Sequence, residues 1–214
     1  ASGTRAGPIF GAVEKRTPQP VAGPLTIAAT VRPANDPVAV VKLYYRPMFA
    51  AETMLAMTDD GTGGDATAGD GIWTAIVPGA AFAPGEMPRW RFVATDSKGT
   101  ETREPAFRDP LDSHQYFGTV AQDAGLQTRL PVFHWFTSNP AGANTAAGSR
   151  GAVYYHGEFY DNVLFSVHGQ SSAGFPKKSY NIDFNRTQRF LWSTNAPRVA
   201  DIDLLTNWAD KSKV

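Results

Sequence analysis

The stretch Leu25-Thr-Ile-Ala-Ala-Thr-Val-Arg32 sets Leu25, Ile27, Ala29 and Val31 against Thr26, Ala28, Thr30 and Arg32. A period of two puts the first set on one face of a β-strand and the second set on the other. Working outward, Val38 to Arg46 is a β-branched and aromatic run with Val41, Leu43 and Tyr45 on one face. Gly71-Ile-Trp-Thr-Ala-Ile-Val77 is a third strand, closed by Pro78-Gly79. Arg89 to Thr95 is a fourth: Trp90, Phe92 and Ala94 face one way, and Arg89, Arg91 and Val93 the other. The arginines beside Trp90 are expected on a solvated face. Asp96-Ser-Lys-Gly99 has turn chemistry. Short strands at this spacing, with no helical period between them, predict an antiparallel sandwich. We place this sandwich at residues 7–112.

Composition narrows the classes. Charged residues are 19% and aromatics 12%, too weakly charged and too aromatic for a disordered chain. Lys+Arg and Asp+Glu are 20 each, so the basic excess of a general nucleic-acid binder is missing. No apolar run approaches the roughly 20 residues of a helical membrane span. With no cysteine, disulfides, zinc–cysteine sites and thiol nucleophiles are excluded, and the fold must stand on packing.

Residues 103–128 carry Pro105 and Pro110 and no clear period. They read as a boundary, with a linker at 113–125. A second β-rich region follows at 126–214. Leu130 to Phe136 is a strand, and Ala141 to Gly148 a loop of small residues. Ala152 to Tyr155, then His156-Gly157-Glu158, then Tyr160 and Val163 to Val167 read as a hairpin. Lys178 to Phe184 is a strand with Tyr180, Ile182 and Phe184 on one face, and Asp203 to Trp208 is the last. Asp210 has N-cap chemistry just before the end at Val214. That pattern predicts a fragment of a longer protein.

Two motifs carry candidate chemistry. Gly169-Gln-Ser-Ser-Ala-Gly174 lies between two strands and is followed by Lys177 and Lys178. Phosphoryl transfer needs backbone N–H groups close to phosphate and a fixed cation for it. A Gly/Ser loop with Gly169, Ser171, Ser172 and Gly174 supplies the first, and Lys177 or Lys178 the second. Lys178 shares a face with Tyr180 and Ile182 and is the preferred one. An ordinary turn with solvated lysines is the plainer alternative. The second motif is the Gly-rich stretch holding Asp59, Asp60, Asp65 and Asp70. Calcium takes carboxylate and carbonyl oxygens from such loops, though the spacing is not an EF-hand. Asx-turns alone would also explain it. His134, His156 and His168 are scattered, which points to strand histidines over a zinc site. The aromatics Phe133, Trp135, Phe136, Tyr154 and Tyr155 are expected in the core.

The second region resembles the CotH kinase family, named for spore-coat protein H. The resemblance rests on Val167-His-Gly-Gln-Ser-Ser172, Phe175-Pro-Lys-Lys-Ser-Tyr180 and Leu204-Leu-Thr-Asn-Trp-Ala-Asp210, and covers about residues 126–214. His168 stands where that family usually has Arg. The resemblance implies an exported atypical protein kinase, extracellular or in a bacterial cell envelope. It further implies ATP with Mg or Mn, a protein substrate, and this region as the β-rich N-lobe. Catalytic residues are then expected beyond Val214, leaving this chain inactive alone. The competing expectation is a non-enzymatic binding or adhesion module with a cell-surface partner, stabilised by calcium at Asp59–Asp70. Through its Asp59-Asp-Gly-Thr-Gly-Gly-Asp65 and Gly69-Asp-Gly-Ile-Trp73 stretches, the sandwich at 7–112 resembles an immunoglobulin-like β-sandwich.

Overall fold

The computed structural model describes residues 5–11, 16–19, 23–169 and 174–206. The chain is mainly β and divides into two units. The first comprises Ala1–Phe107 and Gln115–Arg129, the second Arg108–His114 and Leu130–Val214.

The first unit holds two antiparallel sheets. One has the order β1 (Ile9–Phe10), β2 (Leu25–Arg32), β5 (Ile72–Val77). The other runs β4 (Thr53–Ala56), β3 (Val38–Pro47), β6 (Pro88–Asp96), β7 (Glu101–Glu104). The free edge of β6 is shared: β7 pairs with residues 92–95, and β8 (Phe117–Gly118) with Arg89 and Trp90. The alternation seen in the sequence is the burial pattern observed. Leu25, Ile27, Ala29 and Val31 meet Val41, Leu43, Tyr45, Trp90, Phe92 and Ala94 in one core. Burying a large apolar side chain contributes roughly 1.5–3 kcal/mol. An exposed ion pair contributes about 1 kcal/mol or less. Packing between the two inner faces therefore dominates this unit, as the lack of cysteine requires.

The second unit is one five-stranded antiparallel sheet, ordered β13 (Asp201–Leu204), β12 (Ser179–Asp183), β11 (Glu158–His168), β10 (Ser149–Tyr155), β9 (His134–Thr137). Its core contains Val153, Tyr160, Val163, Phe165, Ile182, Phe184 and Phe190. The β10–β11 hairpin turns at His156-Gly157, both with positive φ (48° and 76°). That is the two-residue turn whose twist matches a hairpin. One helical turn, α1 (Pro140–Ala143), lies within the small-residue loop, capped where Gly142 N–H donates to Asn139 Oδ1 at 2.9 Å. Contrary to expectation, the aromatics of β9 are not in the core: Phe136 is half-buried and Trp135 is 38% exposed, its ring lying edge-on 5.2 Å from Phe165 and 4.9 Å from Tyr180.

Several boundaries differ from the sequence reading. The 113–125 segment is not a free connection. Phe117–Gly118 is paired, and Thr119, Val120 and Ala121 are buried. A two-residue strand has no period to read, because its pairing is supplied by β6. Residues Arg108–His114 instead belong to the second unit, where Asn162 Nδ2 donates to the carbonyls of Pro110 and Ser113, each at 2.8 Å. The strand expected at Leu130–Phe136 begins at His134, with Leu130 exposed. The last strand ends at Leu204, and Asp210 lies outside the described residues.

The outer face of β6 is a correction. Arg89 is 5% exposed, not solvated. Its guanidinium lies 4.7 Å from the Phe49 ring centre and 4.8 Å from that of Tyr116, and donates to Met48 O. Arg91 lies 4.0 Å from the Tyr44 ring centre and donates twice to Glu52, at 2.7 Å each. A planar guanidinium stacks on aromatic faces while its edge still donates, so an outward arginine can be covered without losing its partners.

Gly151 tests the second sheet. A Cβ there would fall 1.9 Å from Phe136 O and 2.8 Å from the Phe165 ring. Gly151→Ala is expected to lower stability by more than about 3 kcal/mol, as overpacking with backbone displacement does. Gly157→Ala meets open space and suffers only from its positive φ, about 1 kcal/mol. Urea denaturation of both variants checks this; equal losses would contradict the close β9–β10 approach.

Candidate functional site

The acidic loop between β4 and β5 begins after a bridge pairing Thr58 with Thr74. Asp59 turns back over it. One oxygen accepts from Gly69 N–H (2.9 Å) and Asp70 N–H (3.1 Å), and the other from Gly71 N–H (3.1 Å). Asp65, 7% exposed, accepts from Gly61 N–H at 2.6 Å. Asp70 accepts from Ile72 N–H at 2.8 Å. Gly71 has φ +81° and sends its carbonyl to Val31 N–H at 2.8 Å, a backbone state that favours glycine. These bonds hold three carboxylates near one another, with Asp65 buried and Asp70 exposed. One oxygen each from Asp59, Asp65 and Asp70 lies within 4.8 Å of the others.

Asp60 does not join them. Its Oδ1 accepts from the hydroxyl (2.7 Å) and N–H (3.0 Å) of Thr62, and these bonds hold its carboxyl below the usual range. The expected four-aspartate set is thus three. Three hard oxygen donors on a bendable loop suit calcium, which takes 6–8 oxygens, so carbonyls and water would have to complete the shell. The same carboxylates already accept backbone N–H groups of the loop, so they have a structural role without any ion.

The second candidate is the connection from β11 to β12. Gly169 leaves β11 with φ +84°. Gly174 is exposed, Lys177 exposed, and Lys178 half-buried immediately before β12. Gly169 and Lys178 thus stand at the two ends of one hairpin connection. Ser171 and Ser172 lie outside the described residues. On the sheet beside it, His168 Nδ1 lies 3.1 Å from Asp203 Oδ1. Register places that pair on the face of Ser179 and Asn181, opposite Tyr180 and Ile182. The four histidines do not gather. Burial lowers the pKa of His114 and of His134 below the ordinary imidazole value, and His156 occupies the hairpin turn. Among the described residues, the three aspartates are the group of potential ligands that comes within such reach.

Sequence reasoning missed a network around the buried Glu158 carboxylate. Glu158, 7% exposed, receives both Nη1 and Nη2 of Arg198 at 2.8 and 2.9 Å. Tyr160 Oη donates to Glu158 Oε2 at 2.6 Å and accepts from Leu191 N–H at 3.1 Å. Burial first, then the Glu158 carboxylate, pushes the Tyr160 phenol well above its ordinary value. This network pins the excursion from Phe184 to Ala200 onto the β10–β11 hairpin. Arg198 lies 40 residues from Glu158, so no local spacing reveals the pair.

Compared with known proteins, the chain matches no family model and no curated protein.

Two outcomes follow from the geometry. Asp59→Ala leaves three backbone N–H groups without their acceptor and is expected to lower stability by about 1–3 kcal/mol; Asp60→Ala, in a fully exposed Asx-turn, is expected to leave the melting temperature nearly unchanged. Equal melts for the two variants would show that Asp59 does not organise the loop. For Glu52, the hydrogen bonds from Arg91 hold its carboxyl below the usual range. A depressed folded value means a contribution present above the unfolded value and lost as pH falls through the folded one. The stability gap between the wild type and Glu52→Gln is therefore expected at neutral pH and to close below about pH 4. Chemical denaturation at pH 7 and pH 3 measures it, and a gap of the same size at both pH values would contradict the assignment.

Proposed function

We propose that this chain is the N-terminal part of an exported atypical protein kinase, inactive by itself, whose second unit handles the phosphates of ATP with Mg or Mn. One observation carries the reading. The second unit is a five-stranded antiparallel sheet in which Gly169 and Lys178 bracket a hairpin connection. A glycine at positive φ lets backbone N–H groups approach an anion closely. A half-buried lysine at a strand start holds its ammonium in a narrower range than a solvated one. Together they are the two elements that phosphate positioning needs. The motif resemblance to the CotH kinases supplies the reaction class, and with it the bacterial envelope and a protein substrate. In this reading the proton-accepting and metal-binding carboxylates come from residues beyond Val214.

Calorimetric titration of MgATP into this chain, and into a version extended past Val214, tests the proposal. Heat is expected in the extended protein, with affinity reduced at least about tenfold in Lys178→Ala. Absence of heat in both would remove the nucleotide reading. Phosphoryl transfer by the 214-residue chain above a buffer blank would contradict its inactivity alone.

A second reading is favoured by the convergence of Asp59, Asp65 and Asp70. It makes the chain a non-enzymatic envelope binding module whose first unit is stiffened by calcium and engages a cell-surface partner. Here EDTA is expected to lower the melting temperature, and calcium to restore it in the wild type but not in Asp65→Asn. A melt that ignores both additions would leave the loop as a set of backbone caps.

A further inference from the structure

We draw no further inference here: the strongest candidate, the exposed Trp192 on the 184–200 excursion of the second unit with the exposed Arg189 near it in sequence, carries nothing because nothing in the structure shows what covers it.

Discussion

The first unit depends on what β6 does with its two faces and two edges. Its inner side chains, Trp90, Phe92 and Ala94, are at most 1% exposed and form the middle of the sandwich core. One edge takes β3 along most of its length, and the other is divided between β7 and β8. Its outer face is covered too, because Arg89 and Arg91 lie against Phe49, Tyr116 and Tyr44. Burying a guanidinium is costly unless its donors are met. Here Met48 O and the Glu52 carboxylate meet them. The arginines thus allow a strand to be buried on both faces without an unpartnered charge. They also tie Glu52, before β4, and Tyr116, before β8, to the same sheet, since Tyr116 Oη donates to Glu52 at 2.9 Å.

The second unit solves a different problem. A single sheet must find its own cover, and the excursion from Phe184 to Ala200 brings it Phe190 and Val199. Such a stretch has few internal backbone bonds to hold it, although Phe190 and Val199 exchange two. The Glu158–Arg198 pair supplies a fixed point. Its bidentate geometry and the Tyr160 hydroxyl satisfy a carboxylate that is otherwise withdrawn from water, while the Arg198 guanidinium stays partly in solvent. The edge strand β13 carries Asp201 and Asp203, charges that discourage pairing with another chain.

Much of this was legible in the residues. The strand faces of β2, β3 and β6 follow directly from alternation, and the His156-Gly157 turn from the two hydrophobic runs it joins. Other elements had no readable signal. The two-residue β8 has no period, and α1 is one turn started by an Asn139 cap. The arginines of β6 were placed on the correct face but in the wrong environment. Alternation reports which way a side chain points, while its cover comes from residues far along the chain. At the acidic loop, composition pointed to Asp59, Asp60, Asp65 and Asp70 together. The Thr62 bonds take Asp60 out of the group, a distinction that spacing does not contain.

The sequence by itself determined a mainly β, cysteine-free chain with two β-rich regions. It did so because side-chain alternation and turn chemistry are properties of neighbouring residues. Only the tertiary structure decided that three aspartates converge, that residues 115–129 return to the first unit, and that Glu158 finds Arg198. Each of these joins positions whose separation along the chain says nothing about their distance in space. They are set by backbone bonds and packing that exist only once the sheets have formed.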